Sequence, residues 1–305
     1  MSSYSSVVAG LAFVCGLPAL ARGEQTKSNE VTRMEPVTVF GKSPSLHDVS
    51  SESDLVGPAK QPEWTTRRAF AETDIYVIPP GTFEFNQFYV ASIPRHGKTE
   101  HLFESEFEFG LPWRTQFDVE PNYRVEGGQL SYDSTRLELP HALADWGKIP
   151  LNPTIDGGWR FRNEEDDSYL FRLLLAEQFG ERFHFGGNFG FEQQVGGDRE
   201  TEYELNGALG YVVADRKLTV GAELLVEFES DQDGEEETTL LFGPTALFKP
   251  SSDTHLGLVT LFGLNDESPA AEIFVVFGID FEPFGWSGSA SDLEREGIEP
   301  RRRGR

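Results

Sequence analysis

A chain of 305 residues with 51 acidic and 26 basic side chains, net charge −25, repels a phosphate backbone, which excludes a nucleic-acid partner. Its single cysteine, Cys15, lies in the first apolar run, so a mature chain cut after that run holds no disulfide, thiolate zinc site or cysteine nucleophile. Phe alone (25) outnumbers Trp (5), Tyr (8) and Met (2) together, yet mean hydropathy is −0.38; two-faced strands give that profile and transmembrane helices do not.

Residues 7–20 (VVAGLAFVCGLPAL) are too short for a comfortable membrane helix and end in Ala19-Leu20-Ala21, a small-x-small cleavage pattern. Residues 1–21 are expected to be a signal peptide that exports the chain. From 22 to 73 the chain is rich in Ser, Pro, Glu and Lys and poor in apolar residues, so a disordered periplasmic arm is expected there.

Within the arm, Glu35-Pro36-Val37-Thr38-Val39-Phe40-Gly41 is extended and β-prone. It resembles the TonB box of energy-coupled outer-membrane receptors, which is recognised by strand addition, and makes TonB a candidate partner. Those receptors also carry a folded plug and a barrel of roughly 22 strands, for which the remaining chain is too short. The alternative is a segment that pairs with a sheet edge or rests in a barrel mouth.

From Thr82 onward, segments of about ten residues alternate strictly in polarity, the period of a strand with two different faces. In 113–125, Trp113, Thr115, Phe117, Val119, Pro121, Tyr123 and Val125 point one way and Arg114, Gln116, Asp118, Glu120, Asn122 and Arg124 the other. The same reading predicts strands at 82–93, 99–110, 113–125, 129–140, 153–163, 168–178, 182–193, 200–213, 217–228, 238–248, 254–264 and 270–282. About twelve strands, an even number, let a barrel close with both ends on one side.

A soluble sandwich also alternates, and the connections discriminate. Short turns at 110–112, 179–181, 214–216 and 249–252 alternate with longer acidic or Gly-rich loops at 94–98, 164–167, 195–199, 230–237 and 265–269. That is the rim asymmetry of an antiparallel transmembrane β-barrel in the outer membrane of a Gram-negative bacterium. One connection, 141–152 (HALADWGKIPLN), is long where a short turn is due and is expected to form a helical turn at the rim. The last strand has the aromatic-ended pattern read by barrel-assembly machinery, and the Ser-, Glu- and Arg-rich residues 285–305 are expected to be a disordered tail.

With the apolar parity facing lipid, the other parity lines a pore. Expected lining residues are Glu104, Glu106, Glu108, Asp118 and Glu120 on one side and Arg160, Arg162, Arg172 and Arg182 on another, with Arg114 paired across strands to Glu108. Glu84, Glu272, Asp280 and Glu282 would face the arginines, a transverse field that sorts solutes by charge. The competing reading is that these groups form salt bridges and close the lumen. Strands ten to twelve are apolar on both faces (Leu240-Leu241-Phe242, Ile273-Phe274-Val275-Val276-Phe277), which suits passage of a hydrophobic compound or a seat for the amino-terminal arm.

Catalysis finds little support. His101 and Ser105 share a parity but lie about 13 Å apart along a strand, too far for proton transfer. No phosphate loop, metal-spaced His/Cys set or nucleophile elbow occurs, so no enzyme, cofactor or metal is expected.

Ile78-Pro79-Pro80-Gly81-Thr82 leading into the first aromatic strand, Ala142-Leu143-Ala144-Asp145-Trp146-Gly147 and the closing strand resemble the outer-membrane transporter barrels grouped with the phenol-degradation meta-pathway protein (the MetA-like group). The resemblance spans about residues 74–284. It implies passage of small, hydrophobic molecules and supplies no catalytic residues. The expected function is an outer-membrane channel or transporter, with a structural barrel of filled lumen or a TonB-coupled accessory as alternatives; the expected partners are outer-membrane lipid and barrel-assembly machinery.

Overall fold

The computed structural model describes residues 51–281 except 198 and 232–235. The alternating segments become twelve long strands: β1 (Phe83–Ile93), β2 (Glu100–Leu111), β3 (Thr115–Glu126), β4 (Gln129–Glu138), β5 (Thr154–Arg162), β6 (Ser168–Phe179), β7 (Phe183–Gln194), β8 (Thr201–Ala214), β9 (Leu218–Ser230), β10 (Glu236–Ser251), β11 (Thr254–Gly263) and β12 (Ala271–Phe281). Neighbours in sequence pair antiparallel, and β12 pairs with β1 from Phe83↔Phe281 to Ile93↔Ala271, so the sheet closes on itself. Closure pairs the backbone groups of both would-be edges, the condition for crossing hydrocarbon with strands. The chain is an antiparallel transmembrane β-barrel.

Alternation sends one side chain in two outward. On β8, Tyr203 and Tyr211 mark the two ends of this outer face and Leu205 and Leu209 the middle, each more than a third exposed. Around the circumference, Phe83 packs at a tilt against Phe109 and Phe281 (ring centroids 5.0 and 5.6 Å) at one end, while Tyr89 meets Phe103 (5.2 Å) and Phe191 meets Tyr203 (5.3 Å) at the other. Two aromatic belts flanking an aliphatic band match the two interfaces of a bilayer.

Turns at 112–114, 180–182, 215–217 and 252–253 form one rim, here the turn end; the other rim is the loop end. The loop end is not uniformly long. Gly127 and Gly128, at φ 58° and 83°, join β3 to β4 in a two-residue hairpin whose backbone only glycine adopts without strain. At the turn end, 141–152 forms no helical turn. Strand β4 stops at Glu138, and His141–Ala142 fills the gap by pairing with Thr115 of β3 and with Ile155 and Thr154 of β5. The backbone hydrogen bonds available there favour extension over a helix.

For residues 51–73 the structure corrects the expected disordered arm; residues 22–50 lie outside the described residues. From Ser51 the chain is folded inside the barrel, and nearly every residue from Gln61 to Thr82 is buried. A two-residue bridge joins Leu55–Val56 to Gln61–Pro62, and a 3-10 turn spans Glu63–Thr65. The segment lacks periodicity because it is enclosed on all sides and needs no solvent face. The heptad 35–41, the signal peptide, Glu282 and the tail lie outside the described residues.

Candidate functional site

The segment 51–82 is a plug that enters and leaves at the turn end. Its first anchor is Glu52, whose carboxylate pairs with Lys249 of β10 at 2.8 Å while its N–H donates to Asp215 in the β8–β9 turn. Trp64, wholly buried, stacks on His184 of β7 (centroids 4.1 Å, planes 6° apart) and donates its indole N–H to Gln178 of β6 at 2.8 Å. Trp146, from the long connection, closes edge-on against both Trp64 and Tyr76.

The plug reaches furthest into the barrel at 68–74. There it substitutes side-chain partners for a neighbouring strand: the N–H groups of Ala71 and Glu72 donate to the two oxygens of Glu223 (3.2 and 3.0 Å), and Asn188 exchanges two hydrogen bonds with the backbone of Asp74 (2.8 and 2.7 Å). On the return, the Ile78 N–H donates to Gln116 Oε1 at 2.7 Å, and Gly81 and Thr82 exchange backbone bonds with Gly110. Beyond its short Leu55–Val56 bridge the plug thus meets its backbone hydrogen bonds through side chains and the rim of the barrel.

The wall behind it is acidic. Registers place Asp280, Glu84, Glu108, Asp118 and Glu138 directly opposite one another across five adjacent strands from β12 to β4. Like charges in that position repel, so the row needs compensation. The plug supplies part of it: Arg67 pairs with Asp280 at 3.3 Å and with Glu63, and Arg68 pairs with Asp74 at 2.8 Å and Glu106 at 3.1 Å. Asn86 and Gln116 donate amide protons to Glu84, Glu106, Glu108 and Asp118.

Arg172 of β6 joins plug to wall, contacting Asp74, Glu138 and Asp156 at 2.6–2.7 Å. Desolvation inside the barrel opposes the charge on Asp74, but Arg68 and Arg172 on either side prevail and hold its carboxyl below the ordinary range. Glu72 lies two residues away and has no ion pair among the described residues. Desolvation, then the carboxylates of Glu223 and Glu204, push it well above the ordinary glutamate range.

The residues expected to line a pore separate into groups. Glu106, Glu108, Asp118 and Glu120 are buried behind the plug, with Glu120 paired to Arg136. Arg160 and Arg162 both reach Glu192 at 2.9 Å, nearer the loop end, and Glu104 borders the open part of the lumen. Two residues are not in the lumen. Arg182 belongs to the β6–β7 turn, outside the alternating strand, and lies over the outward-facing Tyr211; Arg114, at φ 59° in the β2–β3 turn, swings over the rim to Asp145 at 2.9 Å. The register sets Glu108 opposite Asp118, so the expected Glu108–Arg114 pair does not form. Nor does a basic wall face an acidic one across an open bore: Arg136, Arg160, Arg162 and Arg172 are each neutralised by carboxylates of nearby strands or the plug.

Above the plug the described residues enclose an open part of the lumen. A cavity of about 940 Å³ has Arg68, Ala71, Glu72 and Asp74 as its floor and the exposed loop residues Lys98, Thr99 and Glu100 at its mouth. One side is apolar, with Phe88, Val90, Leu225 and Phe274 continuing into a buried cluster of Leu241, Val259, Leu261 and Val276. The greasy strands ten to twelve therefore seat Ala71 of the plug and border the vestibule.

The barrel can be superposed on an outer membrane channel from Pseudomonas putida F1 with a TM-score of 0.53 at 11% identity, covering 68% of this chain and 98% of the channel. This chain has the fold of an outer-membrane channel. The NanC porin gives a TM-score of 0.46 (11% identity, 65% of this chain, 98% of the porin) and the KdgM porin 0.42 (10%, 66% and 98%). No protein-family model and no curated protein sequence matches the chain.

Sequence reasoning missed the plug residues Glu52, Trp64, Arg67, Arg68 and Asp74. The available signal was an aromatic and two adjacent arginines inside a segment otherwise read as linker, ahead of the apolar run Ile75-Tyr76-Val77-Ile78.

Proposed function

We propose that this chain is an outer-membrane channel or transporter for small molecules, held closed by its own residues 51–82. Support comes from one observation above all: a closed barrel whose solute-sized cavity is open at the loop end and blocked at the turn end by the plug. Hydrogen bonds and ion pairs hold the innermost stretch 68–74, groups that can exchange partners with water, while Trp64, Phe70 and Ile75 pack against Ala176 and Ala208 of the wall. In this reading residues 1–21 export the chain, the turn end faces the periplasm, barrel-assembly machinery inserts the barrel into outer-membrane lipid, and the MetA-like transporters are its functional kin. The apolar side of the vestibule supports a solute with a hydrophobic part.

The second reading, a structural barrel with a filled lumen, is favoured by the plug itself. Single-channel recording in planar bilayers separates the two. A channel shows discrete conductance steps that become frequent when plug anchors are removed. A filled structural barrel shows none with or without Glu52 and Arg172.

A further inference from the structure

Where β11, β12 and β1 run side by side behind the plug, Glu84, His255 and Asp280 bring two carboxylates and an imidazole together, one ligand atom from each lying within 4.8 Å of the others. Glu84 and Asp280 stand directly opposite each other across the seam that closes the barrel. His255 starts opposite Gly278, and its ring crosses β12 to reach β1, where Nε2 lies 2.9 Å from Asn86 Oδ1. Gly278 makes room for that crossing, since a Cβ there would stand 2.0 Å from the imidazole Cε1. The three residues lie on three strands with no motif spacing between them, so the sequence does not announce the group.

All three are buried, and their polar atoms are incompletely partnered. Asn86 directs its amide N–H groups at Glu84, Glu106 and Glu108, which leaves Oδ1 to accept from His255 Nε2. The ring proton is therefore on Nε2 and the lone pair on Nδ1. Yet Nδ1 is buried with no hydrogen-bond partner among the described residues. Glu84 receives the Arg68 N–H and the Asn86 amide on Oε1, while its Oε2 has no donor, and neither oxygen of Asp280 has one. The plug arginines do not cure this. Arg67 gives its guanidinium N–H groups to Ser252 O and Glu63 and stands 3.3 Å from Asp280 as an ion pair without a hydrogen bond; Arg68 is engaged by Asp74 and Glu106. Buried acceptors that face one another without donors are costly, and such a group calls for an explanation.

We propose that Glu84, His255 and Asp280 bind a divalent transition-metal ion of the zinc type, which clamps the closing seam of the barrel behind the plug. A cation is what the unpartnered atoms have in common as a need. A nitrogen ligand beside two carboxylates suits Zn²⁺ and its first-row neighbours, whereas Ca²⁺ and Mg²⁺ call for oxygen ligands throughout. Asn86, by holding the Nε2 proton, would orient the ring as an outer partner does in metal sites. Because the group is enclosed, the ion enters as the chain folds and its binding adds to the stability of the fold. A proton shared by Glu84 and Asp280 is the competing way to compensate the carboxyls. The site does not depend on whether the lumen conducts.

The test is to fold the full chain in detergent with Zn²⁺ or with EDTA, remove loose metal by gel filtration and measure retained zinc by elemental mass spectrometry. One Zn²⁺ per chain is expected, together with a higher temperature for loss of heat-modifiable migration than in the chain folded with EDTA. Glu84→Gln and Asp280→Asn keep the shape of the group and should each weaken zinc retention at least tenfold and erase the metal-dependent shift. Glu165→Gln, in an exposed acidic loop, should change neither and controls for loose binding at the surface. His255→Gln removes the nitrogen ligand and should act as the two amide variants do; if it fails to fold, those two carry the test. A parent chain that retains no zinc and is as stable in EDTA would overturn the proposal in favour of the shared proton. Zinc held equally well by Glu84→Gln and Asp280→Asn would overturn it in favour of binding elsewhere.

Discussion

The two halves of the lumen are built from the same strands and differ in what they hold. At the turn end, the acidic row from Asp280 to Glu138 is covered by a folded segment whose arginines offset it. At the loop end, the carboxylates of Glu204 and Glu227 face the cavity above the plug. A lumenal carboxylate therefore does not by itself mark a water-filled pore; what decides is whether the chain brings a cation to it.

The largest effect expected on this contrast comes from removing residues 51–73. If the lower half is a gate, deletion converts a barrel recorded mostly closed into one recorded mostly open in planar bilayers. Unchanged closure would mean that the plug is no barrier.

Arg172→Met comes next, because it strands Asp74, Glu138 and Asp156 without their shared partner. Breaking a buried ionic cluster from one side costs about 3–5 kcal/mol, read as a lower temperature for loss of heat-modifiable migration. Arg172→Lys keeps the charge but cannot reach three carboxylates with one fork, so a partial loss is expected.

Gly110→Ala is smaller. A Cβ there would stand 1.9 Å from the carbonyl oxygen of Pro79, where the plug runs into β1, and the required shift should cost about 1–3 kcal/mol. A stability equal to the parent chain would show that this junction is loose.

The smallest effect is a pH dependence of closure. The Glu72 carboxyl, enclosed beside Glu223, Glu204, Glu104 and Arg68, is raised, so its contribution is complete below the ordinary value near ~4.3 and is lost as pH rises through the raised one. Asp74 is lowered, so its contribution is present above ~3.9 and is lost as pH falls through its lowered value. Mild acidification from neutrality should lengthen closed times, and strong acid should shorten them. Glu72→Gln should abolish the first effect only; persistence of it would assign the titration elsewhere.

Much of the barrel was legible because a strand between lipid and lumen must alternate. From Thr115 to Val125 and from Phe183 to Phe191 that rule fixes the facing of each side chain. The same rule fails where the strand ends: Arg114 and Arg182 continue the numerical parity but sit in turns, Arg114 itself in the left-handed region and Arg182 two residues after left-handed Gly180. The plug was hidden for a different reason. Its burial depends on Asn188, Glu223, Lys249 and Arg172, residues more than a hundred positions or nearly so downstream, so its own composition resembles that of a linker. The ion pairs were anticipated as one of two outcomes, since alternation says which residues face inward but not how their side chains choose partners.

Glu52 and Lys249 are separated by 197 residues, and Trp64 and Gln178 by 114. This early-synthesised segment thus completes its set of partners only after β10 exists. Contacts of such sequence separation form late and slowly. The lumen is furnished last although its furniture is made first, and a strand shortened or mispaired anywhere on the ring would show itself in the interior before it showed on the surface.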